Sequence, residues 1–395
     1  MASLLSPQMK APVAMRCNPT ARLLTLLTLL LVQTAIGAND VTSRDFPKLK
    51  SAKIPRPFRG AYLHLPMLID PKSDFAVQEM VLGKELDRMH EFGLNAILPF
   101  ITTSSGKANY DSALVPEKVY SNASPMKILA REARSRGIGL YPVIPVVICG
   151  DKQPAGILLK HPEWALRHPD GSNMGYFSPA HPEARQWLTS LVREIVATFQ
   201  PDGLVLDYVR YPNRTSRFDP AGEERFRKSL PDNCTLAEEK KLLQQFKEAE
   251  LTELVRQISG GARAEKPGLT LAAYSWGAHV AKDHLVAQVW PVWVEKGWLD
   301  MVNISGYCHR ETYGDQFLKV FEQRLSGAVE MNRRLSKPAS LTFALGVETS
   351  HGRVHSADEI RQYLAIADRL EMDGVAYFAW EYLQPYLEEL KNKSK

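Results

Sequence analysis

The chain has 395 residues, 45% of them apolar and 24% charged, enough to bury a full core, which excludes a disordered or fibrous chain and a small disulfide scaffold. Its formal charge is +5, but residues 1–37 hold Lys10, Arg16 and Arg22 and no acid, so 5 − 3 leaves +2 on the remainder. Lys and Arg are scattered among Asp and Glu with no basic stripe, and nucleic acid is therefore not an expected partner.

The first segment reads as an address. Arg22 is followed by Leu23 to Val32, ten residues with seven Leu, then by small residues at Ala35 and Gly37. That run is about half of the roughly 20 residues a membrane span needs, and with the small residues after it the pattern is that of a signal peptide over 1–37. A short extension over 38–56 follows, then one domain over 57–395. A secreted or periplasmic protein is expected, with no stable membrane insertion after cleavage. Cleavage removes Cys17 and leaves Cys149, Cys234 and Cys308, which cannot all pair and show no CxxC spacing; they read as mostly buried small apolar residues. His351 and His355 are four apart, but Gly352 lies between them and no third ligand is near, so a solvated loop is expected and no metal or cofactor.

From residue 57 onward short β-rich apolar runs alternate with longer segments of helical periodicity. The spacing predicts eight strands: Gly60 to Leu68, Asn95 to Ile101, Ile138 to Ile148, Gly203 to Val209, Leu269 to Ser275, Met301 to Tyr307, Leu341 to Glu348 and Gly374 to Trp380. The helices between them carry their own punctuation: Ser124-Pro125 as N-cap and first helical residue, capping boxes at Thr235/Glu238 and Ser356/Glu359, and an apolar stripe of Leu242, Leu243, Phe246, Leu254, Val255 and Ile258. Eight parallel strands with eight crossover helices give an α/β fold that closes into a single-domain (β/α)8 TIM barrel. No GxGxxG or P-loop follows any strand, which argues against an open doubly wound sheet.

Reactive groups in such barrels lie at the C-terminal strand ends. On the fourth strand alternation puts Gly203, Val205 and Asp207 on the barrel face, and on the seventh Thr342, Ala344, Gly346 and Glu348; the eighth ends in Trp380-Glu381-Tyr382. Tyr62, His64, Tyr208, Tyr211, Trp276, Tyr307 and Trp380 fall near the same rim. Paired carboxylates beneath aromatic faces suit glycoside hydrolysis, which needs an acid at the leaving oxygen and a nucleophile or base on the other side of the ring. Asp207 and Glu348 are the expected catalytic pair, with Glu381 the alternative second carboxylate. Arg210 is expected to bind substrate or to keep Asp207 ionised. His64, Tyr208, Arg210, Tyr211, Trp276, Tyr307, Trp380 and Glu381 are the expected substrate-binding residues.

His161-Pro-Glu-Trp164, Asp170-Gly171, the Ser178 to Arg185 segment with His181-Pro, and Asp202-Gly-Leu-Val-Leu-Asp207-Tyr-Val-Arg210-Tyr-Pro212 together resemble glycosyl hydrolase-like family 10 and its relatives. Gly93-Leu-Asn95-Ala, Ala108 to Ser112 and Gly297-Trp-Leu-Asp300 add to the resemblance, which runs over about residues 57 to 383. It implies a secreted (β/α)8 enzyme acting on a polysaccharide or cell-wall glycan, with Asp207 as the leading catalytic carboxylate. Two stretches depart from the family pattern: Leu140 to Val146 lacks the usual Trp and Asn of the third strand, and Asn303-Ile-Ser305-Gly-Tyr307 replaces a common Pro-Gln pair in the sixth. The competing reading is a catalytically silent sugar-binding barrel. Asn122, Asn213, Asn233, Asn303 and Asn392 begin sequons; Asn303, within a strand, is expected to stay bare.

Overall fold

The structure, a computed structural model, describes residues 54–121, 124–277 and 286–392; the expected signal peptide, most of the 38–56 extension and the Asn122 sequon lie outside them. All eight expected strand regions are found: β1 (Phe58–Leu63), β2 (Ala96–Pro99), β3 (Gly139–Leu140) with β4 (Val143–Pro145), β8 (Gly203–Asp207), β9 (Thr270–Ser275), β10 (Met301–Ser305), β11 (Ser340–Gly346) and β14 (Gly374–Phe378). They form one curled parallel sheet in the order β3-β2-β1-β14-β11-β10-β9-β8-β4. The third expected strand is the one that divides, because Pro142 has no N–H to give to a ladder. Tyr141 N–H donates to the Ile97 carbonyl on one side at 2.9 Å, and the Pro142 carbonyl accepts from Val205 on the other at 2.9 Å.

Period-two alternation decides what the sheet encloses. Phe58 and Tyr62 of β1, Ala96 and Leu98 of β2, Tyr141, Val143, Val205, Ala272, Tyr274, Met301, Ala344 and Ala376 pack into one inner cluster. Gly203 belongs to the same row, and a Cβ there would collide with the Tyr141 ring, so only glycine leaves that tyrosine its place. Asn303 sits in this inner layer, fully buried, donating to Tyr62 Oη at 2.8 Å and accepting from Thr342 Oγ1 at 3.3 Å. It is therefore closed to glycosylation, as its position in a strand implied. The other strand faces pack on the outer helices, of which Leu236–Glu265 buries Leu243, Leu251, Leu254, Val255 and Ile258. Thr235 and Glu238 form the expected capping box there. Ser356 caps Glu359 N–H, whereas Ser124 starts its helix with Pro at the first position and no side-chain bond.

Strand starts share a device. Just before β2, β8, β10 and β14, a side-chain oxygen takes the N–H of a residue near the start of the neighbouring strand: Asn95 from Arg59 at 2.9 Å, Asp202 from Leu140 at 2.9 Å, Asp300 from Leu271 at 2.8 Å and Asp373 from Leu341 at 2.8 Å. These pins fix the relative stagger of adjacent strands at the end of the sheet away from the strand C-termini. They also account for Asp202 and Asp300 of the family-like motifs without any chemistry.

One excursion was not foreseen. Ile148, expected to end the third strand, instead opens β5 (Ile148–Asp151), which pairs antiparallel with β7 (Asn173–Phe177), itself paired with β6 (Ala165–Arg167). Cys149 and Cys308 are buried and unpaired, and His351 and His355 are exposed, as expected. Because the Leu140 N–H would be left without its acceptor, Asp202→Ala is expected to cost about 1–3 kcal/mol. A urea-unfolding series measures it; an unchanged midpoint would remove the pin from the account.

Candidate active site at the strand C-termini

Asp207 ends β8 at the top of the inner row that begins with Gly203 and Val205. The chain turns at once: Tyr208 takes a left-handed φ of 48°, and its N–H donates to Asp207 Oδ1 at 2.7 Å. Non-glycine residues pay for that conformation, and such strain gathers at functional sites. Burial pushes the Asp207 carboxyl up to about 6, against the opposing pull of the Tyr208 N–H, Arg210 and His64. The sequence argument that Arg210 keeps this carboxylate ionised has the right sign, but desolvation is the larger effect.

Phenols wall the site. Burial raises Tyr62, Tyr274 and Tyr307, and the Asp207 charge adds to each, so all three stay neutral hydrogen-bond donors. Their rings interlock with two phenylalanines: Tyr274–Tyr307 at 5.7 Å, Tyr307–Phe378 at 5.3 Å, Tyr62–Phe378 at 5.2 Å and Tyr62–Phe100 at 5.9 Å. Arg210 lies between two aromatic faces, its guanidinium carbon 4.3 Å from the Trp276 centroid and 4.9 Å from that of Tyr208. The β5–β7 ribbon reaches the same edge: Tyr176 donates to Asp151 Oδ1 at 2.9 Å, and the Arg210 charge acts on Tyr176. Asp151 is a second non-glycine residue with positive φ, 75°.

His64 follows β1 and Glu381 lies in the short helix Trp380–Leu383 that follows β14, the neighbouring strand. Glu381 Oε1 accepts the His64 backbone N–H at 2.7 Å, and Oε2 stands 3.6 Å from His64 Nδ1. The imidazole stacks on Phe100 at 4.9 Å and meets the edge of Phe378 at 5.3 Å.

Three expected site residues are placed elsewhere. β11 ends at Gly346, and Glu348 belongs to a separate two-stranded ribbon, β12 (Glu348–Thr349) with β13 (Gly352–Arg353), where its side chain is exposed. It does not continue the inner row, and its charge acts on Tyr382 and Tyr386. Tyr211 is fully buried behind the mouth, edge-on to Phe218 at 6.2 Å and 4.9 Å from the Lys247 ammonium. Trp380 is also fully buried and points outward, its indole N–H donating to Glu85 Oε2 at 2.8 Å. Strand parity stops being informative once β8 and β14 end, which is why both aromatics were misplaced. The residues that sequence reasoning missed, Tyr274, Phe100 and Phe378, lie on the inner row within or just after strands it had found. Small-to-large progressions such as Ala272, Tyr274, Trp276 and Ala376, Phe378 are the signal that marks them.

Known proteins resemble this chain in both sequence and fold. It is 23% identical over 273 residues to glycosyl hydrolase DigH of Escherichia coli (strain K12), covering 60% of this chain and 59% of that protein. It is 24% identical over 262 residues to glycosyl hydrolase YngK of Bacillus subtilis (strain 168), covering 60% and 48%. The chain thus spans less than two thirds of the length of either relative. Among solved structures, the glycoside hydrolase domain of PgaB (BpsB) from Bordetella bronchiseptica superposes with a TM-score of 0.63 at 16% identity, covering 85% of this chain and 98% of that one. The catalytic domain of beta-amylase from Paenibacillus polymyxa gives 0.59 at 11% identity, covering 84% and 94%. These share the fold. The glycosyl hydrolase-like 10 family model matches residues 69–333, more than half of the chain, and the protein belongs to that family.

Proposed function

We propose that this protein is a secreted glycoside hydrolase that cleaves glycosidic bonds of a polysaccharide or cell-wall glycan with two carboxylates at the mouth of a (β/α)8 barrel. Closure of the barrel is supported by the two ends of the sheet, β3 and β4, being parts of one stretch separated only by Tyr141 and Pro142. Secretion rests on the apolar run at Leu23 to Val32; among the described residues no helix is long and apolar enough to cross a membrane.

The observation that carries the catalytic reading is the Asp207 carboxyl, lifted to about 6 by burial among aromatic side chains. A carboxyl so placed is still protonated in mildly acid solution and suits the general acid that gives a proton to the leaving glycosidic oxygen. Glu348, on the exposed ribbon past β11, is the proposed second carboxylate, attacking the anomeric carbon or activating water from the other side. Trp276, Tyr208 and Tyr307 would take sugar rings, with Arg210 and His64 on their hydroxyls. Tyr211 and Trp380 have no part in this reading.

A silent sugar-binding barrel is the second reading, favoured by the charges around Asp207: Arg210 and, when protonated, His64 act on it, while Glu348 acts on Tyr382 and Tyr386. A glycan-library screen with purified residues 39–395 separates the two. Under the first reading some glycan is cleaved, kcat falls as pH rises past about 6, and Asp207→Asn lowers kcat on the order of 10³-fold. Glu348→Gln is expected to lose activity on a similar scale; near wild-type turnover in that variant removes its role. Binding without turnover by the wild type establishes the second reading.

The same carboxyl carries a stability cost. Its folded value of about 6 lies above the ordinary 3.8, so the unfolded chain releases this proton first and folding weakens as pH rises from about 4 to about 6. Two units correspond to about 3 kcal/mol at most. Asp207→Asn is thus expected to be more stable than wild type at pH 7, with the gain vanishing below about pH 4. Thermal melts at both pH values check this; a destabilised variant at pH 7 would contradict the burial argument.

A further inference from the structure

The reaction sketched above uses His64 only as a hydroxyl ligand and gives Glu381 nothing to do. Yet Glu381 is a buried carboxylate, its side chain 6% exposed, and an acid taken out of water has to be compensated. The His64 backbone N–H at 2.7 Å satisfies Oε1. Oε2 is buried with no hydrogen-bond partner, and so is His64 Nδ1, 3.6 Å away. The two unpartnered atoms face each other. A proton on Nδ1, in the neutral ring or the imidazolium, complements the carboxylate across that 3.6 Å gap, and a proton on Nε2 alone leaves two lone pairs opposed.

The ring has little freedom to evade this choice, being stacked on Phe100 and wedged against Phe378. The His64 side chain is still 31% exposed although Nδ1 is buried, so the open edge is the one that carries Nε2. That edge lies at the mouth, because the ring packs on Phe100 and Phe378, which themselves meet Tyr62 and Tyr307 of the aromatic wall.

We propose that Glu381 is a positioning residue that fixes the Nδ1–H tautomer of His64, leaving the Nε2 lone pair at the barrel mouth to accept a hydrogen bond from a sugar hydroxyl. This rests on the reading of the mouth as the glycan site. The logic is that of a carboxylate that holds an imidazole in one tautomer through its far nitrogen.

Long-range proton–nitrogen NMR of the intact, substrate-free protein at a pH where His64 is neutral reads the tautomer directly, with His64→Gln supplying the assignment. Wild type is expected to show a protonated Nδ1 and a bare Nε2. Glu381→Met, which offers no oxygen acceptor, is expected to shift the proton to Nε2, and so is Glu381→Gln, whose single oxygen is taken by the His64 backbone N–H so that its NH2 donates to Nδ1. With a cleaved glycan, Glu381→Met should raise KM about tenfold, the scale of one hydrogen bond, with kcat changed far less. A wild-type ring protonated on Nε2, or a tautomer indifferent to Glu381→Met, overturns the proposal. Should Glu381→Met not fold, the wild-type spectrum alone still decides against it if Nε2 carries the proton. If no glycan is cleaved, the glycosidase reading fails while the tautomer measurement still judges the pair.

Discussion

At the end of β8 one half-buried carboxylate is partly withdrawn from water, and the surrounding mouth is organised by how that is tolerated. Coulomb attraction from Arg210 and His64 and the Tyr208 N–H at 2.7 Å all favour the charged form of Asp207, yet burial outweighs them. The aromatic wall is what makes burial the larger effect, since tyrosine and phenylalanine rings exclude water without supplying a full positive charge. Asn303, by donating to Tyr62, holds one of those rings in place from the layer below. Arg210 is held by stacking between Trp276 and Tyr208, with Nη1 donating to the Tyr211 carbonyl at 3.5 Å.

The two ends of the sheet divide the labour. At the strand starts, Asn95, Asp202, Asp300 and Asp373 spend their oxygens on backbone N–H groups of the next strand. At the strand C-termini, Asp207 Oδ1 takes the N–H of the residue that follows it, and Glu381 Oε1 that of His64 just beyond β1. Asp202 and Asp207 stand five residues apart in one motif: the first takes a backbone N–H of another strand at the strand start, the second takes only its successor's N–H at the strand end, where burial raises its carboxyl.

Most of the fold was legible in the sequence because a strand buried on both faces shows itself as a β-rich apolar run between helical periods. Asp207, Val205 and Ala344 fell on the correct face because parity holds inside a strand. Parity failed beyond the strand ends. The left-handed turn at Tyr208 redirects the chain so that Tyr211 is buried against Phe218 and Lys247, and the end of β11 at Gly346 releases Glu348 into an exposed ribbon. The β5–β7 excursion was missed because its strands are three to five residues long, interrupted by turns, and too short to express a period. Glu381 was recognised as a strand-end acid, but its engagement with His64 depends on β1 and β14 being neighbours, which sequence spacing does not state.

The central claim is that burial, and not the nearby cations, sets the charge of Asp207. Carbon-13 NMR titration of its carboxyl in the intact protein, assigned by Asp207→Asn, measures this without any substrate. A midpoint near 6 is expected. A midpoint at or below the ordinary aspartate value of about 3.9 would mean that Arg210 and His64 prevail, and would contradict both the general-acid role and the stability cost assigned to this residue.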